Sequence, residues 1–266
     1  MTHTRQLLTS LLIAGALSAC QAPERGLGPG RWIDLTHAFD ESTVYWPTAD
    51  GFELTIDSQG MTEKGFWYEA NSFRSAEHGG THLDAPVHFA EGKETVDEIP
   101  LGHLIGPGVV VDVEEACSSD RDYQVTVQDF EAFEARHGEL PAGSIVLLRT
   151  GFARHWPDRE KYMGTAERGA EAVTKLHFPG LHPDAARWLL ANRDIHAIGL
   201  DTPSIDFGQS TLFESHQILF AENVPAFENV AHLDQLPAQG FLVVALPMKI
   251  RDGSGGPLRI VAFVGE

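Results

Sequence analysis

Apolar positions along the chain form short runs and alternating patterns that predict many short strands. Apolar runs are typical of strands buried on both faces, and alternation with a period of two is typical of strands with one buried face. The alternating segments are Phe52–Asp57 and Phe66–Phe73, so we expect each to pack one face on the core. The other predicted strands are Trp32–Leu35, Gly108–Val113, Ser144–Leu148, Ile195–Leu200, Phe241–Leu246 and Leu258–Val264.

Helical signals lie between these strands, in Thr126–His137, Pro183–Asn192 and Leu212–Glu222. The first helix begins with Thr126 and has Asp129 three residues on, as in a capping box, and Gly138 ends it. Strands outnumber helices and the two kinds interleave, which predicts an α/β or α+β fold with a mixed sheet. The sequence has no interior linker, so we expect residues 31–266 to form a single catalytic domain.

The N-terminus has the features of an export signal. Arg5 precedes an apolar run, from Leu7 to Ala19, that is too short to span a bilayer. Leu17-Ser-Ala-Cys20 resembles a bacterial lipobox, which predicts a signal peptide in 1–19 and a tether in 20–30. The protein would then be exported to the periplasm, with a lipid at Cys20 as its sole membrane contact. A plain signal peptide and a frayed N-terminal helix are the alternatives.

The charge balance excludes several kinds of partner. The chain has 19 Lys+Arg against 38 Asp+Glu, a formal net charge of −19. Such acidity argues against nucleic acid as a partner and against docking to an anionic lipid surface. Two cysteines exclude a disulfide scaffold and a Cys-rich metal site. Cys117 has only Arg121 as a nearby cation in the sequence, so we interpret it as incidental.

The candidate chemistry lies in the stretch His78-Gly-Gly-Thr-His82-Leu-Asp84-Ala-Pro-Val-His88, with three His and one Asp in 11 residues. A helical pair at His78 and His82 is opposed by the intervening glycines and the later proline. In an extended or bulged segment His82, Asp84 and His88 have even spacing and can point to one side. The glycines allow the backbone to curl, so that His78 joins them.

Imidazole nitrogens with a carboxylate suit Zn²⁺, Mn²⁺ or Fe²⁺. A solvated, His-rich loop is the alternative. The sequence contains no G-x-S-x-G elbow and no G-x-G-x-x-G or Walker loop, which argues against a serine hydrolase and against nucleotide binding. Gly253-Ser-Gly-Gly-Pro257 is interpreted as a turn that could border the site.

The histidine stretch resembles the H-x-G-T-H-x-D-x-P-x-H signature of the putative cyclase family, which includes bacterial kynurenine formamidases and isatin hydrolases. The resemblance runs from about Trp32 to the C-terminus. Its other matching segments are Trp46-Pro47, Asp201-Thr-Pro-Ser-Ile-Asp206, His216 with Glu228-Asn229, Pro247 and Gly255-Gly-Pro-Leu-Arg259. It implies a swivelling β/β/α fold, a homo-oligomer and one or two divalent metal ions, Zn²⁺ or Mn²⁺.

The resemblance also implies roles for individual residues. The first metal would be held by His78, His82 and Asp84, and a second by Asp84, His216 and Glu228. His88 would be the proton shuttle, because an imidazole with a pKa of about 6.5 accepts and returns a proton near neutrality. Trp46 would lie on the substrate side.

The implied reaction is hydrolysis of the C–N bond of a small aromatic amide by metal-activated water. A cyclic amide of the isatin type is favoured by the run Trp67–Phe73 and the residues before His78. An aryl formamide, N-formylkynurenine of tryptophan catabolism, is the other candidate. Further aromatic residues near the motifs would line the pocket or lie in the sheet core: Phe66, Trp67, Tyr68 and Phe207. The alternative functions are a periplasmic metal- or ligand-binding lipoprotein without turnover and a lactonase using the same site.

Overall fold

The computed structural model describes residues 26–266, so the predicted signal peptide and Cys20 lie outside the described residues. The strands are β1 (Gly30–Asp34), β2 (Glu53–Met61), β3 (Trp67–Arg74), β4 (His82–Asp84), β5 (Ile105–Asp112), β6 (Gln124–Val125), β7 (Ser144–Arg149), β8 (Gly180–Leu181), β9 (Ile195–Leu200), β10 (Ala226–Glu228), β11 (Gln239–Pro247) and β12 (Gly255–Gly265). The helices are α1 (Leu101–Leu104), α2 (Glu114–Ser119), α3 (Val127–His137), α4 (Arg159–Met163), α5 (Ala170–Val173), α6 (Pro183–Asn192) and α7 (Glu214–Phe220). Single 3₁₀ turns occupy Pro86–His88, Phe152–His155 and Leu233–Gln235.

A closed mixed sheet forms the centre of the fold. Its eight strands follow the order β1-β12-β11-β5-β7-β9-β10-β4, and β4 also pairs with β12, which closes the sheet into a barrel. Strands β5, β7, β9 and β10 run parallel, and the other pairings are antiparallel. Two short strands, β6 and β8, pair separately. The α/β fold with a mixed sheet predicted from the sequence is confirmed.

The parallel strands are buried on both faces, because alternate side chains enter two different cores. Along β5, Val110 points into the barrel, and Val109 and Val111 point outward to the helices. The barrel core also contains Leu83 and Phe227. Side chains on the opposite faces of β4 and β10 therefore lie outside the barrel, under the surrounding helices.

The helix that sequence signals defined best keeps its predicted ends. Thr126 precedes α3, its backbone N–H donates to the Asp129 carboxylate at 2.7 Å, and Gly138 ends the helix. Helix α6 and strand β9 have the predicted bounds, whereas the third predicted helix is shorter, at Glu214–Phe220. In the part of the chain that the structure describes, no helix has the length and apolar character needed to cross a membrane.

The prediction that Phe52–Asp57 and Phe66–Phe73 pack one face on the core is wrong. These segments correspond to β2 and β3, which pair with each other as a separate hairpin that is exposed along almost its whole length. Alternation correctly indicated strands with one apolar face. It could not indicate that this face points away from the barrel.

Candidate active site

A cavity of about 240 Å³ lies outside the barrel wall, where β4 and β10 meet the N-terminal part of α7. The residues that the sequence singled out all line it: Trp46, His78, His82, Asp84, His88, His216 and Glu228. Strand β4 pairs antiparallel with β10, which places His82 opposite Glu228. The even spacing of His82 and Asp84 directs both into the cavity, and Leu83 between them enters the barrel core.

A tight glycine turn precedes β4. Gly80 has φ of +59°, a left-handed conformation that glycine adopts without steric cost. Its carbonyl oxygen accepts from Asn229 Nδ2 at 2.7 Å and lies 2.9 Å from His82 Nδ1. A Cβ on Gly79 would come within 2.0 Å of the Tyr45 ring. The turn thus fixes the ring of His82 so that its other nitrogen faces the cavity.

The donor atoms fall into two groups that share Asp84. One group is His78, His82 and Asp84, and the other is Asp84, His216 and Glu228, with the ligand atoms of each within 4.8 Å of one another. Asp84 Oδ1 lies 2.6 Å from His78 Nδ1 and 3.0 Å from His82 Nε2. His216 Nε2 lies 3.3 Å from Asp84 Oδ2 and 3.1 Å from Glu228 Oε1. Residues 138 positions apart in numbering, His78 and His216, thus converge on one carboxylate.

The site concentrates negative charge away from water. Burial alone would raise the pKa of Asp84, but His78 and His82 hold it well below its usual range. Burial opposes charge on His82 as well, yet Asp84 and Glu228 raise its pKa to about 10. The pKa of His216 is raised well above its ordinary value against burial, by Asp206, Asp84 and Glu228. The buried carboxylates therefore stabilise positive charge at this point of the molecule.

The donor set fits a divalent metal ion. His82 Nε2 is buried and has no hydrogen-bond partner, since the carboxylates near it are not placed for a hydrogen bond. A buried nitrogen without a partner is costly unless a ligand satisfies it. Imidazole nitrogens mixed with carboxylate oxygens are a donor set typical of Zn²⁺ and related ions. Since the ligands must lose protons to bind a cation, metal uptake would release protons from this cluster.

His88 is in the cavity but not on the same strand as His82 and Asp84. It ends the 3₁₀ turn Pro86–His88, so the chain does not stay extended from His82 to His88, but all three side chains line one cavity, as predicted. Its ring stacks on His78 with centroids 3.8 Å apart. Burial lowers the pKa of His88 to about 4, so its imidazole is neutral at neutral pH.

Sequence reasoning assigned no role to three groups that support the histidines. Asp206 Oδ2 lies 2.6 Å from His216 Nδ1 and fixes the orientation of that ring. Ser254 Oγ lies 2.9 Å from His78 Nε2 and donates to Glu77 at 2.6 Å. The segment around Ser254 therefore borders the site, as the glycine-rich turn suggested. For Asp206 the only signal was its place in the segment that begins at Asp201.

The aromatic residues near the motifs separate into two sets. Trp46 lines the cavity, and its ring lies 6.2 Å from that of Phe213. Phe66, Trp67 and Tyr68 are exposed, so neither alternative, pocket lining or sheet core, holds for them in this chain. Phe207 lines a different surface cavity. The cavity is instead completed by Phe89 and Phe213, which the sequence did not single out. Cys117 is buried, and burial raises the pKa of its thiol, in keeping with an inert residue.

Comparison with known proteins gives a consistent set of relatives. The model of the putative cyclase family matches residues 33–207. An isatin hydrolase of Roseibium aggregatum is 34% identical over 196 residues, which cover 71% of the chain and 72% of the relative. A kynurenine formamidase of Salinibacter ruber is 27% identical over 235 residues, which cover 86% and 95%. The solved structure of isatin hydrolase A from Labrenzia aggregata bound to benzyl benzoate superposes with a TM-score of 0.80, at 30% identity and with 89% and 94% coverage.

Proposed function

The chain belongs to the putative cyclase family, and from that premise we propose that it is a metal-dependent hydrolase of aromatic amides. The observation that carries the proposal is the convergence of three histidines and two carboxylates on one buried cavity, with a neutral histidine beside them. Named relatives in the family are an isatin hydrolase and kynurenine formamidases. Isatin and N-formylkynurenine, the compounds to which these names point, each contain an amide nitrogen bonded to an aromatic ring.

Two ligand sets are available for metal. His78, His82 and Asp84 would hold one ion, and Asp84 with His216 and Glu228 would hold a second. When bound, a divalent metal lowers the pKa of water toward about 7 and polarises the amide carbonyl. The mixed nitrogen and oxygen donors favour Zn²⁺ or Mn²⁺.

His88 is the proton carrier in this proposal. Its imidazole is neutral at neutral pH, because burial lowers its pKa to about 4, so its free ring nitrogen can take a proton only transiently and gives it up readily. Stacking against His78 holds the His88 ring next to the first group of proposed metal ligands. His88 takes a proton from the attacking water and passes it to the departing nitrogen. The nitrogen needs this proton because it leaves as a neutral amine.

The cavity walls favour a flat aromatic substrate. Trp46, Phe89 and Phe213 line the cavity with aromatic rings, and the ring of Phe89 lies 4.6 Å from that of His216. An aromatic substrate ring would pack against them, and the amide would point to the polar cluster. We propose an isatin-type cyclic amide, which suits the compact cavity and agrees with the isatin hydrolase that is 34% identical.

Metal analysis combined with a substrate comparison tests this proposal. Bound metals are quantified in the purified protein, and isatin and N-formylkynurenine are then assayed side by side, with and without chelator. Chelator-sensitive opening of isatin is the expected result. Exclusive turnover of N-formylkynurenine would keep the hydrolase and overturn the cyclic-amide substrate. Bound metal without turnover of either would favour a binding protein, and failure to bind Zn²⁺ or Mn²⁺ would contradict the ligand assignment.

A further inference from the structure

The three histidines of the two ligand groups face the shared carboxylate with different ring nitrogens. His82 and His216 direct Nε2 toward Asp84, at 3.0 and 3.3 Å, and each keeps Nδ1 for a supporting group. His78 is reversed, because its Nδ1 lies 2.6 Å from Asp84 Oδ1 and its Nε2 lies 2.9 Å from Ser254 Oγ. The support of His78 therefore comes from the glycine-rich turn that contains Ser254.

Ser254 connects His78 to a carboxylate outside the two ligand groups. Glu77 Oε2 accepts hydrogen bonds from Ser254 Oγ at 2.6 Å and from the Ser254 N–H at 3.1 Å. A hydroxyl has a single proton to donate, and here the carboxylate takes it. Ser254 Oγ must therefore accept from His78 Nε2–H, so this nitrogen carries a proton. In the neutral ring the lone pair is then on Nδ1, the nitrogen that faces Asp84.

The backbone at Ser254 is fixed close to both side chains. Its carbonyl oxygen accepts from the Ala85 N–H at 2.9 Å, directly after strand β4. The next residue must be small, since a Cβ on Gly255 would lie 2.6 Å from His78 Cε1. This close approach holds the Ser254 hydroxyl between the His78 ring and the Glu77 carboxylate.

His78 depends on such a contact more than the other two histidines do. Its side chain is 24% exposed, whereas those of His82 and His216 are each 3% exposed. Packing fixes the two buried rings on all sides, and it leaves one side of the His78 ring open. The hydrogen bond to Ser254 therefore carries a larger share of the orientation of His78.

We propose that Glu77 is a positioning residue for His78 and acts through the Ser254 hydroxyl. The inference rests on the proposed function, because it requires His78 to be a metal ligand. Outer hydrogen bonds of this kind fix the tautomer and orientation of a metal-binding histidine and raise its basicity. The hydroxyl fixes the tautomer of His78, and the Glu77 carboxylate supplies negative charge at the far end of the same hydrogen bonds.

Zinc affinity of variants at Ser254 tests the proposal. The full chain, freed of metal, is titrated with Zn²⁺ in competition with a fluorescent chelator. Ser254→Ala should weaken zinc binding by about 10–100-fold, the usual cost of losing the outer partner of a metal ligand. Ser254→Thr keeps the hydroxyl and should recover most of the affinity. Unchanged circular dichroism in both variants shows that the fold is kept.

The contribution of Glu77 is separated by a double-variant comparison. Glu77→Gln should weaken zinc binding by about 10-fold, at the low end of the same range, because the amide oxygen still accepts from Ser254 but carries no charge. In the Ser254→Ala protein, Glu77→Gln should have no further effect, since the hydroxyl that connects Glu77 to His78 is already absent.

Asp97→Asn is the matched control. Asp97 Oδ1 accepts from the Thr95 hydroxyl at 2.8 Å and from the Asp252 N–H at 3.0 Å, so it holds the chain just before the same turn by the same kinds of contact. Asp97 lies outside the cavity. This variant should keep the zinc affinity of the wild type, which separates loss of the connection to His78 from a general loosening of the turn.

Nitrogen-15 spectra of protein labelled at histidine give a second readout that does not depend on affinity. In the zinc-loaded wild type, His78 should carry its proton on Nε2 and His82 should carry its proton on Nδ1. Ser254→Ala should accelerate exchange of the His78 Nε2 proton with water, and Asp97→Asn should leave this exchange unchanged.

The outcomes distinguish this inference from the proposed function. Wild-type protein that binds no Zn²⁺ would overturn both. Zinc binding by the wild type with the same affinity in Ser254→Ala would overturn this inference alone, as would a His78 proton on Nδ1 in the zinc-loaded protein. Equal losses in Glu77→Gln and Asp97→Asn, or a full effect of Glu77→Gln in the Ser254→Ala protein, would contradict the action of Glu77 through Ser254.

Discussion

Single residues in the cavity differ in protonation because their neighbours differ. His82 contacts carboxylates that raise its pKa to about 10 against the effect of burial. His88 keeps an exposed edge, but the atoms packed around its ring disfavour the charged form, and this partial burial lowers its pKa to about 4. His82 thus lies among carboxylates that also attract a metal ion, whereas His88 is neutral and can take part in proton transfer. That difference determines the result we expect from each substitution.

Replacement of His88 by Ala should reduce kcat by about 10²–10⁴-fold, the usual effect of losing a general acid–base group. Bound metal should stay nearly unchanged, since His88 belongs to neither ligand group. Turnover and metal content measured on the same preparation check this. His103→Ala, a stacked histidine away from the cavity, is the matched control. If His88→Ala loses its metal, His88 is a ligand and its role here is wrong.

Asp206→Asn should weaken metal binding by about 10–100-fold, the usual cost of removing the carboxylate that orients a metal-binding histidine. The Asn side chain has nearly the same shape as Asp, but its amide oxygen accepts a weaker hydrogen bond from His216 Nδ1. In the wild type this nitrogen lies 2.6 Å from the Asp206 carboxylate. Competition with a fluorescent chelator measures the affinity. Asp122→Asn is the control, because Asp122 makes the same contact with His177 at 2.7 Å outside the cavity. Equal affinities in the two variants would contradict a positioning role for Asp206.

At the scale of elements, the site depends on a short strand held between two others. β4 has only three residues, but it pairs with β10 on one side and β12 on the other. This pairing fixes His82 and Asp84 more firmly than a loop would, and the preceding turn sets the angle at which the chain enters. We therefore expect substitutions in the turn at Gly79 and Gly80 to disturb the site as strongly as substitution of a ligand residue.

Gly80→Ala should destabilise the protein by about 2–5 kcal/mol, the sum of a left-handed alanine and overpacking. An added Cβ would lie 2.5 Å from the Phe39 ring, at φ of +59°. Gly92→Ala has a similar φ of +74° with nothing within 4 Å, so it should cost only about 1–2 kcal/mol. Urea unfolding of the metal-loaded protein measures both. Similar losses in the two variants would show that contact with Phe39 does not matter.

The β2–β3 hairpin shows which properties of a strand can be predicted from sequence and which cannot. Alternation in Phe52–Asp57 and Phe66–Phe73 identified both strands, because a period of two depends only on neighbouring residues. Whether the apolar side packs on the barrel or faces away from it depends on where the strands lie in the fold, and here it is exposed. Apolar periodicity predicted neither β4 nor β10, since three residues are too few to show a period; the extended course of His82–Asp84 was expected only from the spacing of its ligand residues.

At the scale of the whole molecule, His37 should make stability depend on pH. Its ring stacks on Trp156 at 4.2 Å, and burial, followed by the charge of His232, lowers its pKa to about 4. Between pH 4 and about 6.5 the unfolded chain binds the proton more readily, so stability rises with pH there and is lost as the pH falls.

His37→Phe keeps an aromatic ring against Trp156 but cannot titrate. We expect the wild type to lose about 2 kcal/mol more unfolding free energy than this variant between pH 7 and pH 5. Urea unfolding of both proteins at the two pH values, with metal present, measures the difference. Identical pH dependence would show that His37 titrates normally in the folded protein.

The sequence by itself determined the features that depend on residues close together along the chain. The apolar periods predicted a mixed α/β fold, capping residues placed the ends of α3, and the motif placed His78, His82, Asp84 and His88 in one short stretch. Export and lipid attachment at Cys20, together with a single domain over 31–266, remain predictions from the sequence.

Only the tertiary structure decided which distant residues meet. His216 and Glu228 carry no local signal, so only the resemblance grouped them with Asp84. They meet because β10 pairs with β4 and His216 on α7 contacts both carboxylates. Phe89, Phe213 and Asp206 became part of the site for the same reason. Exposure of the apolar side chains of the β2–β3 hairpin is likewise a result of packing. Periodicity and caps act within a few residues along the chain, whereas a site is formed by contacts between segments far apart in sequence.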